Sequence, residues 1–204
     1  APFTCATYLI EGGSSKFFFE TKKMMFADPE LYSSLLDKIT ECTILYLKAQ
    51  AAAGAQALQI FDSWAGVLAP DDFERYALPY VKRIIAELKK VTDVPIIYFA
   101  NNGSTLLDLS KTSGADVLGL DWRVNIADAI EQIGPGISVQ GNLDPSALLL
   151  PEPQLRERVA KLLDGASKAH GHICNLGHGI HQFTPPAQAK IFIDAVHELS
   201  GKSS

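Results

Sequence analysis

The sequence predicts an α/β fold built on parallel strands, closing as a (β/α)8 barrel (a TIM barrel), and three observations lead there. Short runs rich in β-branched and aromatic residues alternate with longer helical patterns. The runs are apolar throughout rather than alternating, which suits strands covered by helices on both faces. A polar group closes nearly every run, and barrel enzymes place their chemistry at that rim, with different strands contributing one group each. A doubly wound sheet competes with the barrel. No Gly-x-Gly-x-x-Gly follows any run, however, which removes the strongest argument for a dinucleotide-binding sheet.

The elements are justified in chain order. Phe3 to Leu9 reads as a first strand. Asp28-Pro29-Glu30 is an N-cap, a proline at the first helical position and an acid in the first turn. Behind it Leu31, Leu35, Ile39, Cys42, Tyr46, Ala49 and Ala53 recur at spacings of three and four and predict one buried stripe, with Gly54 as a stop. Ala57 to Phe61 is strand-like. Asp71 and Glu74 form a capping-box pattern ahead of Phe73, Ala77, Tyr80, Ile84, Leu88 and Val91, and Pro79 is expected to bend this helix. The runs at 94–100, 116–120, 137–140 and 172–175 complete the strands. Helical stretches lie around 104–112, 126–133, 154–170 and 186–199.

No linker or low-complexity tract interrupts the series, so residues 1–204 are expected to form a single domain. Six strand-like runs fall short of the eight, in roughly 250 residues, that closure needs. Six alone would leave open parallel edges. The expectation is therefore an N-terminally truncated barrel with about six of its eight βα units, the first two lying upstream of Ala1.

Composition narrows the function classes. With 47% hydrophobic and 20% charged residues the chain has apolar surface enough to fold, which excludes disorder. The longest apolar run, 94–100, is far shorter than the roughly 20 residues of a membrane-spanning helix. A net charge of -5 without a basic patch argues against nucleic acid as a partner. It leaves room for an anionic small molecule met by a few local cations. The scattered Cys5, Cys42 and Cys174 do not make a disulfide framework, and the reducing cytoplasm is the expected location.

The rim residues carry a resemblance. Thr7-Tyr8-Leu9-Ile10-Glu11-Gly12-Gly13, Phe61-Asp62-Ser63-Trp64-Ala65-Gly66, Gly119-Leu120-Asp121-Trp122, Gln140-Gly141-Asn142-Leu143-Asp144-Pro145 and Asn175-Leu176-Gly177-His178-Gly179 together resemble the uroporphyrinogen decarboxylase family, in the right order along the whole chain. The resemblance implies a (β/α)8 barrel, a homodimer, and a carboxy-lyase of heme and porphyrin biosynthesis. Its reaction takes the carboxyl groups off the four acetates of uroporphyrinogen III to give coproporphyrinogen III, using no metal and no organic cofactor. It also implies that Tyr8 and His178 are catalytic, and that Tyr8, Ser63 and His178 contact the substrate, the last two through its carboxylates. An arginine-rich segment and a pyrrole-binding aspartate, which the family also uses, are expected upstream of Ala1.

Structural readings stand beside these. Tyr8 by itself reads as a core aromatic with its hydroxyl in water, Ser63 as a helix cap, and His178 as one isolated histidine. Asp62 and Asp121 suit buried structural acids, and Gln140, Asn142 and Asp144 suit turn hydrogen bonding. Arg123 reads as solvated or as one carboxylate contact, and Gly12-Gly13-Ser14-Ser15 as a mobile loop. His172 and Cys174, two apart on a strand, share a face and hint at zinc. The alternative functions are therefore a zinc-dependent methyltransferase on the same barrel and a non-catalytic fragment.

Overall fold

Pro2 opens a helix where a strand was expected. The computed structural model describes residues 1–13 and 15–201 and places Phe3 to Leu9 inside α1 (Pro2–Glu11). Proline has no N–H to lose in a first turn. Phe3, Ala6 and Thr7 then fall on one buried face at helical spacing, and Gly12 ends the helix in the left-handed region (φ 63°). A seven-residue run rich in Phe, Thr and Tyr fits either period, and burial decides between them. The described residues consequently hold five strands rather than six. Of the expected Gly12–Ser15 loop, Ser14 lies outside the described residues.

Two compact units make up the described chain, Ala1–Leu118 and a second from Gly119 onward. In the first, α2 (Phe19–Ala27) is followed by α3 (Pro29–Ala52), whose N-terminus the Asp28 carboxylate caps by accepting from the Leu31 N–H at 3.1 Å. The cap matches the expectation; the buried stripe does not. The core face of α3 is Tyr32, Leu36, Thr40, Ile44 and Leu47, while Leu31, Cys42 and Tyr46 are exposed. Both faces of α3 carry apolar side chains, so periodicity alone leaves the rotation open. Tyr32 settles it by donating to the Tyr76 carbonyl at 3.2 Å from a fully buried position.

β1 (Leu58–Asp62) pairs in parallel with β2 (Ile96–Ala100), Leu58 opposite Ile96 and Asp62 opposite Ala100. Between them the expected bend at Pro79 is a full break two residues earlier, at Ala77, dividing α4 (Pro70–Tyr76) from α5 (Leu78–Lys89). Pro79 sits in the first turn of α5, where its ring clashes with nothing. Pro70, not Asp71, sets the start of α4, and no side chain caps it. The stretch 104–112 is not one helix but α6 (Leu107–Ser110) between tight 3-10 turns. Asp116 then leads into β3 (Val117–Gly119), its N–H donating to the Ile96 carbonyl (3.0 Å) and its carboxylate accepting from the Ile96 N–H (2.9 Å).

The second unit repeats the strand–helix alternation. α7 (Ile126–Ile133), capped by Asn125, precedes β4 (Ser138–Leu143); α8 (Glu152–Gly165) precedes β5 (His172–Leu176); α9 (Pro186–Ser200) follows. β4 and β5 are parallel, with Val139 opposite His172 and Leu143 opposite Leu176. β4 runs on through Gly141 and Asn142, past the expected end at Gln140. Among the described residues no helix is long and apolar enough to cross a membrane.

The rotated face of α3 has a direct test. Leu36→Ala removes a fully buried side chain and is expected to cost about 2–5 kcal/mol in denaturant unfolding. Cys42→Ser, on the opposite face, should stay within about 0.5 kcal/mol.

Candidate active site

In the first unit the site is organised by Asp62, the last residue of β1, which is fully buried. Its Oδ1 accepts from the Thr4 hydroxyl of α1 at 2.7 Å and its Oδ2 from the Tyr98 hydroxyl of β2 at 3.0 Å. Burial, together with the neighbouring Asp62 carboxylate, pushes the Tyr98 hydroxyl well above its ordinary pKa. Asp62 is thus a structural acid, satisfied by two hydroxyls. The Thr4 hydroxyl also accepts from the Trp64 N–H (3.2 Å) and so reaches past the strand end.

Ser63 follows directly and is half-buried. It caps no helix; its carbonyl accepts from the Asn101 side-chain amide at 3.2 Å. The Asn101 N–H donates to the Asp62 carbonyl (3.2 Å) and the Asn101 carbonyl accepts from the Gly66 N–H (3.2 Å), so two strand ends are laced around Ser63. A Cβ at Gly66 would lie 2.6 Å from the Asn101 carbonyl oxygen, so only glycine permits this approach. Tyr8 lies in the last turn of α1 and is 57% exposed, which excludes the core reading. Its ring stands edge-on to Trp64 at 6.5 Å, and Trp64 also meets Phe18 at 5.0 Å. Trp64 therefore brings Tyr8 to the neighbourhood of Ser63. Next to Tyr8, Glu11 accepts from the Thr21 N–H (2.9 Å) and hydroxyl (2.8 Å). Its small desolvation raises the carboxyl, but these hydrogen bonds outweigh that and hold it below the usual range.

In the second unit Asp121 is likewise buried, two residues past the end of β3. It accepts from the Arg123 N–H at 2.8 Å, and its carboxylate lies 3.5 Å from the Arg123 guanidinium. That guanidinium is not simply solvated, because it stacks 3.8 Å above the Trp122 ring. The Asn142 amide donates to the Asp121 carbonyl (2.9 Å) and the Val124 carbonyl (2.8 Å), and Asp144 accepts from the Ser146 N–H (2.8 Å). Gly177 donates to the Leu143 carbonyl at 2.7 Å. A Cβ there would press on the Trp122 nitrogen and lie 2.9 Å from the Asp121 carbonyl carbon. That close approach sets His178, exposed, edge-on to Trp122 at 5.9 Å and 82°.

His172 and Cys174 share the side of β5 that the period-2 rule gives them, but His172 is otherwise engaged and Cys174 is a half-buried free thiol. The His172 ring donates to the Gly141 carbonyl at 2.7 Å, and burial pushes the Cys174 thiol up to about 11. Among the described residues no group of three or more His, Cys, Asp or Glu side chains is placed to hold a metal. Trp64 and Trp122 stand in the family-like stretches, but sequence alone assigned no role to either or to Asn101 in placing Tyr8, Ser63 and His178. Each lies within three residues of a strand end, and position alone offered no hint of their contacts.

The family model described as uroporphyrinogen decarboxylase matches residues 1–199. The chain belongs to the uroporphyrinogen decarboxylase family. A relative named uroporphyrinogen decarboxylase from Desulfotalea psychrophila is 70% identical over 202 residues, covering 99% of this chain and 59% of the relative. One from Carboxydothermus hydrogenoformans is 51% identical over 203 residues, covering 100% of this chain and 58% of the relative. This member of the family therefore spans under two thirds of the length of those relatives. Among solved structures a methyltransferase from Methanosarcina mazei superposes with a TM-score of 0.83 at 20% identity, over 98% of this chain and 57% of that one. At that identity the likeness concerns the fold, which is α/β and of the (β/α)8 barrel class, with five barrel strands among the described residues.

The Asp62 hub has two measurable consequences. Tyr98→Phe takes one donor from a buried carboxylate and is expected to cost about 1–3 kcal/mol in urea unfolding at neutral pH. Folded Tyr98 keeps its proton above the ordinary value of 10.0, where an unfolded tyrosine loses it. Wild-type stability should therefore be whole below that pH and decline as pH rises through it, with a shallower decline in Tyr98→Phe.

Proposed function

We propose that this protein is a carboxy-lyase that removes the carboxyl groups from the four acetate side chains of uroporphyrinogen III, giving coproporphyrinogen III. The supporting observation is the family match over residues 1–199, which spans every strand end described above. In this reading no metal or organic cofactor takes part, because the substrate supplies its own electron sink. Protonation of an electron-rich pyrrole carbon gives a cation. The electron pair of the breaking CH2–COO bond flows into that cation and CO2 leaves. The methylene carbon then takes a proton to become methyl while the ring gives its added proton back. Each acetate consumes one proton net and releases one CO2.

The protein's tasks are to hold the macrocycle, deliver protons and stabilise developing charge. Tyr8, Ser63 and His178 are the groups assigned to contact the substrate, the tyrosine and serine through hydroxyl donation and the histidine through a ring N–H to a carboxylate. Among the described residues none of these three side chains makes a hydrogen bond, so each is open to a ligand. The same reading makes the working protein a homodimer in the cytoplasm, and sedimentation of the native protein tests the dimer.

In the complete gene product Tyr8→Phe and Ser63→Ala are each expected to lower kcat/KM on the order of 10-fold, the effect of one lost hydrogen bond to a charged group. His178→Asn should lower it similarly and shift the proportions of partly decarboxylated intermediates, read by chromatography of the oxidised porphyrins. Wild-type yields from all three would remove these residues from the site. Zinc in stoichiometric amount after purification in metal-free buffer would favour the methyltransferase reading instead.

A further inference from the structure

We infer that Trp122 is a positioning residue that sets the orientation of the His178 ring, and that Arg123 holds Trp122 in place for that task. The inference rests on the reading of His178 as a substrate contact and adds the part of the site that makes the contact directional.

His178 lies between Gly177 and Gly179 just past the end of β5. Glycines give the backbone freedom rather than stiffness, and no described residue hydrogen-bonds the imidazole. The ring meets Trp122 with centroids 5.9 Å apart and planes at 82°, the edge-to-face geometry that aromatic rings favour. Gly177 makes this contact possible, since any side chain there would collide with the Asp121–Trp122 backbone.

The indole is in turn fixed by its own neighbours. The Arg123 guanidinium lies 3.8 Å from the ring centroid, and the buried Asp121 holds Arg123 through its backbone N–H (2.8 Å) and its guanidinium (3.5 Å). The Asn142 amide ties down the backbone on either side at Asp121 and Val124. A chain of contacts thus runs from a buried carboxylate through a cation and an indole to an exposed imidazole. A donor aimed at a ligand must be held to within a few tenths of an ångström, and this chain supplies that restraint where the glycine-flanked backbone cannot.

The test is a double-mutant cycle in the complete gene product with uroporphyrinogen as substrate. Trp122→Leu is expected to raise KM about 10-fold and Trp122→Phe, which keeps an aromatic edge, less than about 3-fold. In a His178→Asn background Trp122→Leu should add less than about 2-fold, because the residue it positions is gone. Arg123→Met, an exposed change that leaves the fold intact, should raise KM in the same direction by a few-fold. It guards against a Trp122 variant that does not fold. In the free protein the His178 ring proton resonances should move when Trp122 is replaced by Leu, while those of His172 stay in place. Additive effects in the cycle, or wild-type KM in both Trp122→Leu and Arg123→Met, would overturn the inference. A neutral His178→Asn would instead overturn the substrate-contact reading on which it rests.

Discussion

A carboxylate taken fully out of water costs several kcal/mol unless donors replace its hydration, and Asp62 is in that position at the end of β1. Its two oxygens are met by hydroxyls from different elements, Thr4 of α1 and Tyr98 of β2. Satisfying that one group fixes where α1 runs relative to the two strands. Thr4 is pinned level with the strand end, and Tyr8 lies one turn, about 5.4 Å, further along the same helix face. Tyr8 is thereby carried beyond the strand and into solvent beside Trp64. The exposed tyrosine follows from the buried aspartate.

The second unit uses the same arrangement. Asp121 is buried just past the end of β3 and engaged by Arg123, while the neighbouring Trp122 is half-buried and the nearby His178 is exposed. Asn142 and Gly177 bring the chain segments close enough for this to work. In both units a buried acid at or just past a strand end holds the scaffold and is followed by a half-buried residue: Asp62 before Ser63, Asp121 before Trp122. Barrel rims combine rigidity with chemical variety in this way, since the acid answers to the core and leaves the residue beside it free to vary.

Much of this was legible beforehand where the physics is local. Asp28 caps α3, α7 covers the expected stretch 126–133, and α9 starts at Pro186. Caps, first-turn prolines and stops depend on residues within one turn of each other, so sequence carries them. Illegibility began where two local answers were equally good. Phe3 to Leu9 suits a strand as well as a helix. On α3 the stripe through Leu31 and Tyr46 competes with the one through Tyr32 and Leu36. Pro79 is as compatible with the first turn of a new helix as with a bend in an old one. β4 carries on through Gly141 and Asn142 because β5 lies alongside to pair with them.

For the site, the sequence by itself determined the order of the polar groups at the strand ends and, through the five matching stretches, the family. Those are properties of residue identity and spacing along one chain. Tertiary structure decided that Asp62 is buried and Tyr8 exposed, that Arg123 stacks instead of standing free in solvent, and that His178 leans on Trp122. The Asp62 and His178 contacts join groups far apart in the chain, 36 positions for Tyr98 and 58 for Thr4 around Asp62. The Arg123 stack, by contrast, is on its neighbour Trp122 and is a matter of rotamer and of which surface excludes water. Burial and orientation are set by whichever distant surface arrives to exclude water, and no spacing rule within a helix or strand encodes which surface that is.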